Sequence, residues 1–218
     1  EAAGAAGALV PTSVLVAQVA GLVWAHSCIG FGFFILQSWI PTFFAKTLGA
    51  SGTSLGVLSA LPWTATAVAG ILAGQLADKL LIDKRWSFQR VRKLMMTIAT
   101  AGPAIFMLLL YFSSISPLMS TLFLTGVLGT QAFSYAGFHT YVQEVAGARS
   151  GAILGLTNTG SILFGIVGNV VAGWLVQTTG SFRTLFLVTA LTYTSCGVMW
   201  SFLMKGTILY PQAVSNRI

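Results

Sequence analysis

Six of the chain's eleven basic residues fall in one short segment, residues 74–93: Lys79, Lys84, Arg85, Arg90, Arg92 and Lys93. An apolar run of spanning length precedes this segment and another, residues 94–112, follows it. A short basic loop between two apolar spans faces the cytosol or its organellar equivalent, because lysine and arginine resist translocation. That placement orients every other segment. Carried along the chain, it puts Arg149, Lys205 and Arg217 on the same side as the loop, and only Lys46 and Arg183 opposite. The asymmetry fits six spans with both ends of the bundle on the inner side.

Composition agrees. The chain is 56% hydrophobic and 7% charged, with a mean hydropathy of +0.85, whereas soluble domains carry about 25% charged residues. The net charge of +7 is therefore loop charge on a membrane protein. It is no nucleic-acid footprint, which would spread cations and aromatics along one face. Cys28 and Cys196 lie in different apolar runs without ligand spacing, and read as packing residues. No nucleophile–base pair, paired carboxylates or metal-spaced cluster occurs, so neither an enzyme nor a cofactor is expected. The partner is the lipid bilayer. Because the chain opens at Glu1 without Met, a processed or partial product is expected.

The expected fold class is an all-α membrane protein of six transmembrane helices. Residues 1–12 form an Ala/Gly-rich terminus or linker, 13–205 the bundle, and 206–218 an inner tail. The spans run approximately 16–46, 54–78, 94–112, 118–141, 151–176 and 183–204. The first exceeds the ~20 residues a crossing needs. Gly30, Gly32 and Pro41 interrupt it, which predicts a broken span of the kind that lines transporter sites. On its face His26, Gly30, Phe33 and Gln37 recur at helical spacing, and an intramembrane histidine is a site candidate or a neutral interhelical bond. In the fourth span Gln131, Ser134, Tyr135 and Phe138 occupy one face; in the fifth, Asn158 shares a stripe with Ser161, Gly165 and Gly168. The solute-contact candidates are accordingly His26, Gln37, Gln131, Tyr135 and Asn158. The plain alternative is that these side chains hold helices together. Gly74, Gly165 and Gly173 are expected to face other helices.

Gly74-x-Leu76-Ala77-Asp78 followed by Val91-Arg92-Lys93 resembles the signature loop of major facilitator transporters. The likeness is to the anion-transporting branch that includes sialin, the vesicular glutamate carriers and plant plastid phosphate carriers. It extends from about Val16 to Met204, through Leu61-Pro62-Trp63, Gly155-Leu-Thr-Asn158-Thr-Gly160 and Thr179-Gly180-Ser181-Phe182, and matches only the second, six-helix half of that fold. It implies a gate latch of Asp78 with Arg92 or Lys93, and a second inner loop in which Glu144 pairs with Arg149 or with the first basic loop. The chain departs from the pattern in three places. Ile29 stands where the family carries a polar or basic residue, Gly147 and Ala148 where it has proline and arginine, and Tyr141 and Val142 where plant members have asparagine and histidine.

Two functions follow from the resemblance. The first is the C-terminal half of a secondary active transporter for inorganic phosphate or organic anions, coupled to a proton or sodium gradient and completed by an N-terminal six-helix half. The second is a non-transporting, transporter-derived structural subunit of a larger photosynthetic or respiratory membrane complex. Fold inheritance does not carry function with it, and Ile29, Phe31 and Val142 favour the second. Either places the chain in a membrane, with a plastid thylakoid or envelope implied by the plant members.

Overall fold

The structure is a computed structural model that describes residues 11–113, 116–204 and 209. The predicted terminus at residues 1–12 and tail at 206–218 lie almost wholly outside the described residues, as do Lys205, Arg217 and residues 114–115 of the expected outer turn. Among the described residues the chain is helical throughout, with no strand: α1 Thr12–Leu48, α2 Gly52–Ile82, α3 Phe88–Phe112, α4 Pro117–Gln131, a π-helical turn Tyr135–His139, α5 Thr140–Ala146, a 3-10 turn Gly147–Arg149, α6 Ser150–Thr179 and α7 Arg183–Leu203. Five helical stretches are long and apolar enough to cross a membrane, the fourth running 63 residues from Pro117 to Thr179. Gly147, at φ 50 and ψ −123, breaks that stretch between α5 and α6, a conformation that costs a glycine little.

The elements are longer than their apolar cores. Helix α2 continues through Lys79 to Ile82. Helix α3 begins at Phe88, where the Ser87 hydroxyl accepts from the Arg90 amide and caps the first turn. The basic loop thus shrinks to residues 83–87, and Lys79, Arg90, Arg92 and Lys93 are helical. The expected break in the first span is absent: α1 is continuous over 37 residues with Pro41 inside it. Its glycines serve contact instead. A Cβ at Gly30 would collide with Ser161 of α6, and one at Gly32 with Tyr193 of α7.

Helix α1 packs most extensively on α6, α3 on α7, and α2 on α4. One core cluster, around Leu22, Met96, Phe138, Tyr141, Val145 and Trp200, fills the end of the bundle that bears Arg149. There Leu209 is buried and its amide donates to the Val145 carbonyl of α5 at 2.8 Å. A second cluster, around Phe43, Phe44, Leu124, Phe182 and Phe186, fills the opposite end. Helix α2 has only Pro62, Ala73 and Ala77 buried. It and α6 expose Val68, Ile71, Leu72, Ile166, Val170 and Trp174, a surface stable only in lipid or against other apolar protein.

The α1–α6 seam is a small-residue interface. Gly165 lies under Phe34 and Gly168 under Phe31, and Trp39 Nε1 donates to Asn169 Oδ1 at 3.1 Å. A Cβ at Gly173 would make only ordinary contact with Trp39, at 3.5 Å. Gly74 corrects the expectation, since a Cβ there would meet nothing within 4 Å; α2 turns its small residues at Ala73 and Ala77, not Gly74, into the core. Gly165→Leu should destabilise the bundle by about 1–3 kcal/mol, because even a methyl at that position strikes the Phe34 ring. An unchanged melting temperature in detergent would show that the seam is loose.

Candidate functional site

The middle of the bundle holds a cavity of about 180 Å³ between α1, α2, α4, the π-turn and α6. Four of the five solute-contact candidates line it: His26, Gln131, Tyr135 and Asn158. Gln37 does not. It is exposed, about one turn further along α1 than Phe33 and Phe34, the last α1 residues on the wall. Thr66, Ser134, His139 and Ser161 also line the cavity. Among the residues on its wall there is no Lys, Arg, Asp or Glu.

His139 escaped the sequence reading. It stands four residues after Tyr135, on the face that Gln131 and Tyr135 mark in the sequence. The π-turn brings it in. Thr140 Oγ1 donates to the Tyr135 carbonyl five residues back at 3.0 Å, and His139 Nδ1 reaches the Ser134 carbonyl, also five back, at 3.4 Å. Gly137 permits the turn to press on α3, where a Cβ would strike Met96. Local π winding recurs at functional sites because it re-aims side chains that a regular helix would carry past.

The remaining cavity groups are held by neighbouring helices. Gln131 Nε2 donates to the Ile29 carbonyl of α1 at 3.2 Å, which fixes the amide orientation, since its oxygen has no proton to give. His26 Nδ1 lies 2.9 Å from Thr157 Oγ1. Thr157 gives its own hydroxyl proton to the Leu154 carbonyl at 3.1 Å, so it accepts from His26 Nδ1–H. The polar side chains are therefore both interhelical links and cavity wall.

Toward the basic end, Arg92 donates through Nε and Nη2 to the Glu144 carboxylate at 3.0 and 2.6 Å, and through Nη1 to the Ala136 carbonyl at 3.0 Å. This fork joins α3 to α5 and to the π-turn in one bidentate contact. The contact is an ion pair with a buried guanidinium and a part-exposed carboxylate. Of the two partners proposed for Glu144, the structure shows the first basic segment. Asp78 is exposed and pairs with neither Arg92 nor Lys93 among the described residues, so the implied latch is not formed here; Arg92 turns to Glu144 and the Ala136 carbonyl instead. Lys93 Nζ reaches the Ser201 carbonyl of α7 at 3.5 Å. Arg149 sits in the 3-10 turn that starts α6. The departures from the anion-carrier pattern have structural counterparts. Ile29 forms cavity wall, while Tyr141 and Val142 are buried in the core cluster.

Residues 22–216 match the family model described as Major Facilitator Superfamily. The chain is 35% identical over 188 residues to "Sodium-dependent phosphate transport protein 1, chloroplastic" of Arabidopsis thaliana, covering 84% of the chain and 36% of that protein. It is 34% identical over 185 residues to "Probable anion transporter 3, chloroplastic" of Oryza sativa subsp. japonica, covering 85% and 35%. To "Ascorbate transporter, chloroplastic" of Arabidopsis thaliana it is 33% identical over 185 residues, covering 85% and 34%. The chain thus spans about a third of the length of the curated relatives it matches.

Proposed function

The chain belongs to the major facilitator superfamily, and on that premise we propose that it forms the C-terminal half of a secondary active transporter for inorganic phosphate or organic anions. It is an integral, multi-pass protein of a plastid membrane. Counted with the Pro117–Thr179 stretch as two crossings joined at Gly147, its spans number six. The half-chain reading draws on relatives of which the chain covers about a third, whose names record phosphate, ascorbate and anion transport. In such proteins the solute binds between two repeats near the midplane, and access alternates as one repeat rocks against the other.

The observation that carries the proposal is the cavity. It is small, receives polar side chains from every element around it, and sits beside α2 and α6, whose apolar faces are free to meet a second half. His26, Gln131, Tyr135 and Asn158 bind the solute; Arg92–Glu144, with Asp78, Lys93 and Arg149, belongs to the inner gate. The driving ion is a proton or sodium.

The complete translated polypeptide, reconstituted into liposomes under a proton or sodium gradient, should accumulate phosphate or ascorbate. His26→Ala should reduce uptake by roughly tenfold or more, the worth of one hydrogen bond to a charged group. Ile29 favours a second reading, a structural subunit that no longer transports, because a hydrocarbon occupies wall where a cation would hold an anion. Absence of uptake under either gradient, with the chain copurifying in fixed ratio with a larger membrane complex, would replace the first reading with the second.

A further inference from the structure

Resting on the reading of the cavity as an anion site, we infer that His26 and His139 form a single proton-binding unit, so that each anion enters together with one proton held by this pair. The two rings belong to helices 113 residues apart in sequence, yet their centroids lie 5.4 Å apart, edge to face at 80°. Both line the cavity.

Their hydrogen bonds fix the chemistry. His26 gives its Nδ1 proton to Thr157, and His139 gives its Nδ1 proton to the Ser134 carbonyl, which can only accept. In the neutral pair each Nε2 therefore keeps a lone pair. A proton arriving from the aqueous side bonds to one of these nitrogens and breaks no other bond in the protein. The resulting imidazolium is surrounded by rings. Phe138 lies 4.7 Å from His26 and 5.3 Å from His139, and Tyr135 lies 5.7 Å from His139. Those distances fall within cation–π range. A second proton would place two cations in contact, so the pair takes one.

Charge accounting requires such a device. Desolvating an anion against a neutral wall is costly, and the wall has no Lys or Arg. Of the charged groups on the elements packed against the pair, Arg92 of α3 and Glu144 of α5 neutralise one another, and Arg90 and Lys93 of α3, Asp78 and Lys79 of α2, Lys46 of α1 and Arg183 of α7 stand off the cavity wall. The other titratable groups there are Tyr135 of the π-turn, Tyr141 of α5, Cys28 of α1, and Tyr193 and Cys196 of α7. No cation beyond a protonated histidine is at hand on this wall.

The test uses the complete translated polypeptide in lipid nanodiscs at about pH 6, near the ordinary titration of imidazole. The probes are inorganic phosphate and ascorbate, the latter a monoanion throughout that region. Calorimetry in two buffers of different ionisation enthalpy counts protons taken up per anion bound. About one proton per ascorbate is expected. His26→Asn and His139→Asn each keep a donor at the Nδ1 position, so each single variant should fold and still take up about one proton. The double variant should take up none and bind at least tenfold more weakly. Imidazole 15N shifts at these two sites in the unsubstituted protein give the same answer without relying on a variant's folding. Binding without proton uptake, uptake retained by the double variant, or two imidazoles unchanged by the anion would overturn the proton unit and leave the anion site standing. Binding of neither probe would overturn both.

Discussion

Glu144→Ala should cost about 3 kcal/mol of stability, the lower end of the range for stranding one member of a buried ion pair. Arg92 is the reason. Its side chain is 6% exposed and it makes two charge-assisted contacts to Glu144. Without the carboxylate the guanidinium keeps one neutral acceptor, the Ala136 carbonyl, and faces an apolar cluster of Val91, Met95 and Ala136. Glu144 is itself 28% exposed, so water enters where its side chain is removed and holds the loss to the lower end. Arg92→Met combined with Glu144→Leu should recover most of it, because a hydrophobic pair of similar volume is often as stable as a buried ion pair. Asp78→Asn should stay within about 0.5 kcal/mol, as exposed positions do. Denaturation of the four proteins in one detergent decides the matter. A Glu144→Ala variant as stable as the parent would show that Arg92 finds another acceptor.

The Arg92–Glu144 fork also shows what the sequence held and what it withheld. The all-helical, membrane-spanning class follows from hydropathy, because that reflects each residue's own transfer free energy. The helices run past the expected spans at Lys79 and Arg90, since a charged residue can extend a helix beyond the hydrocarbon without penalty. The α1 break failed for a different reason. Gly30 and Gly32 look like interruptions in one dimension but are contact points in three, lying against Ser161 and Tyr193. Cavity membership was legible where helical spacing is regular, at His26, Gln131, Tyr135 and Asn158. It failed at Gln37, which shares the face of His26 but lies past the cavity's end. It also failed at His139, whose orientation depends on a π-turn that no local composition announces.

Reconstituted alone, these 218 residues should carry neither phosphate nor ascorbate above the leak of empty liposomes, at any pH and under either gradient. The cavity wall on α1, α4 and α6 offers an anion hydrogen bonds but no fixed cation. Helices α2 and α6 contribute wall to the cavity, and their outward residues, such as Ile71, Leu72, Ile166 and Val170, are hydrocarbon. With lipid against those faces, an anion at mid-bundle would be half-enclosed by acyl chains, and the cost of a charge there is several kcal/mol even on the mildest scales. Proton uptake at His26 or His139 supplies charge, but not the missing wall, and one repeat with nothing to rock against has no second access state. A covering half changes each of these conditions: it seals the apolar faces, completes the polar shell, and provides the partner for alternating access. Coexpression with such a half should therefore raise uptake from background to a level that His26→Ala reduces. Robust uptake by the chain on its own would mean that the cavity already closes around its anion, and that the apolar faces of α2 and α6 serve only lipid.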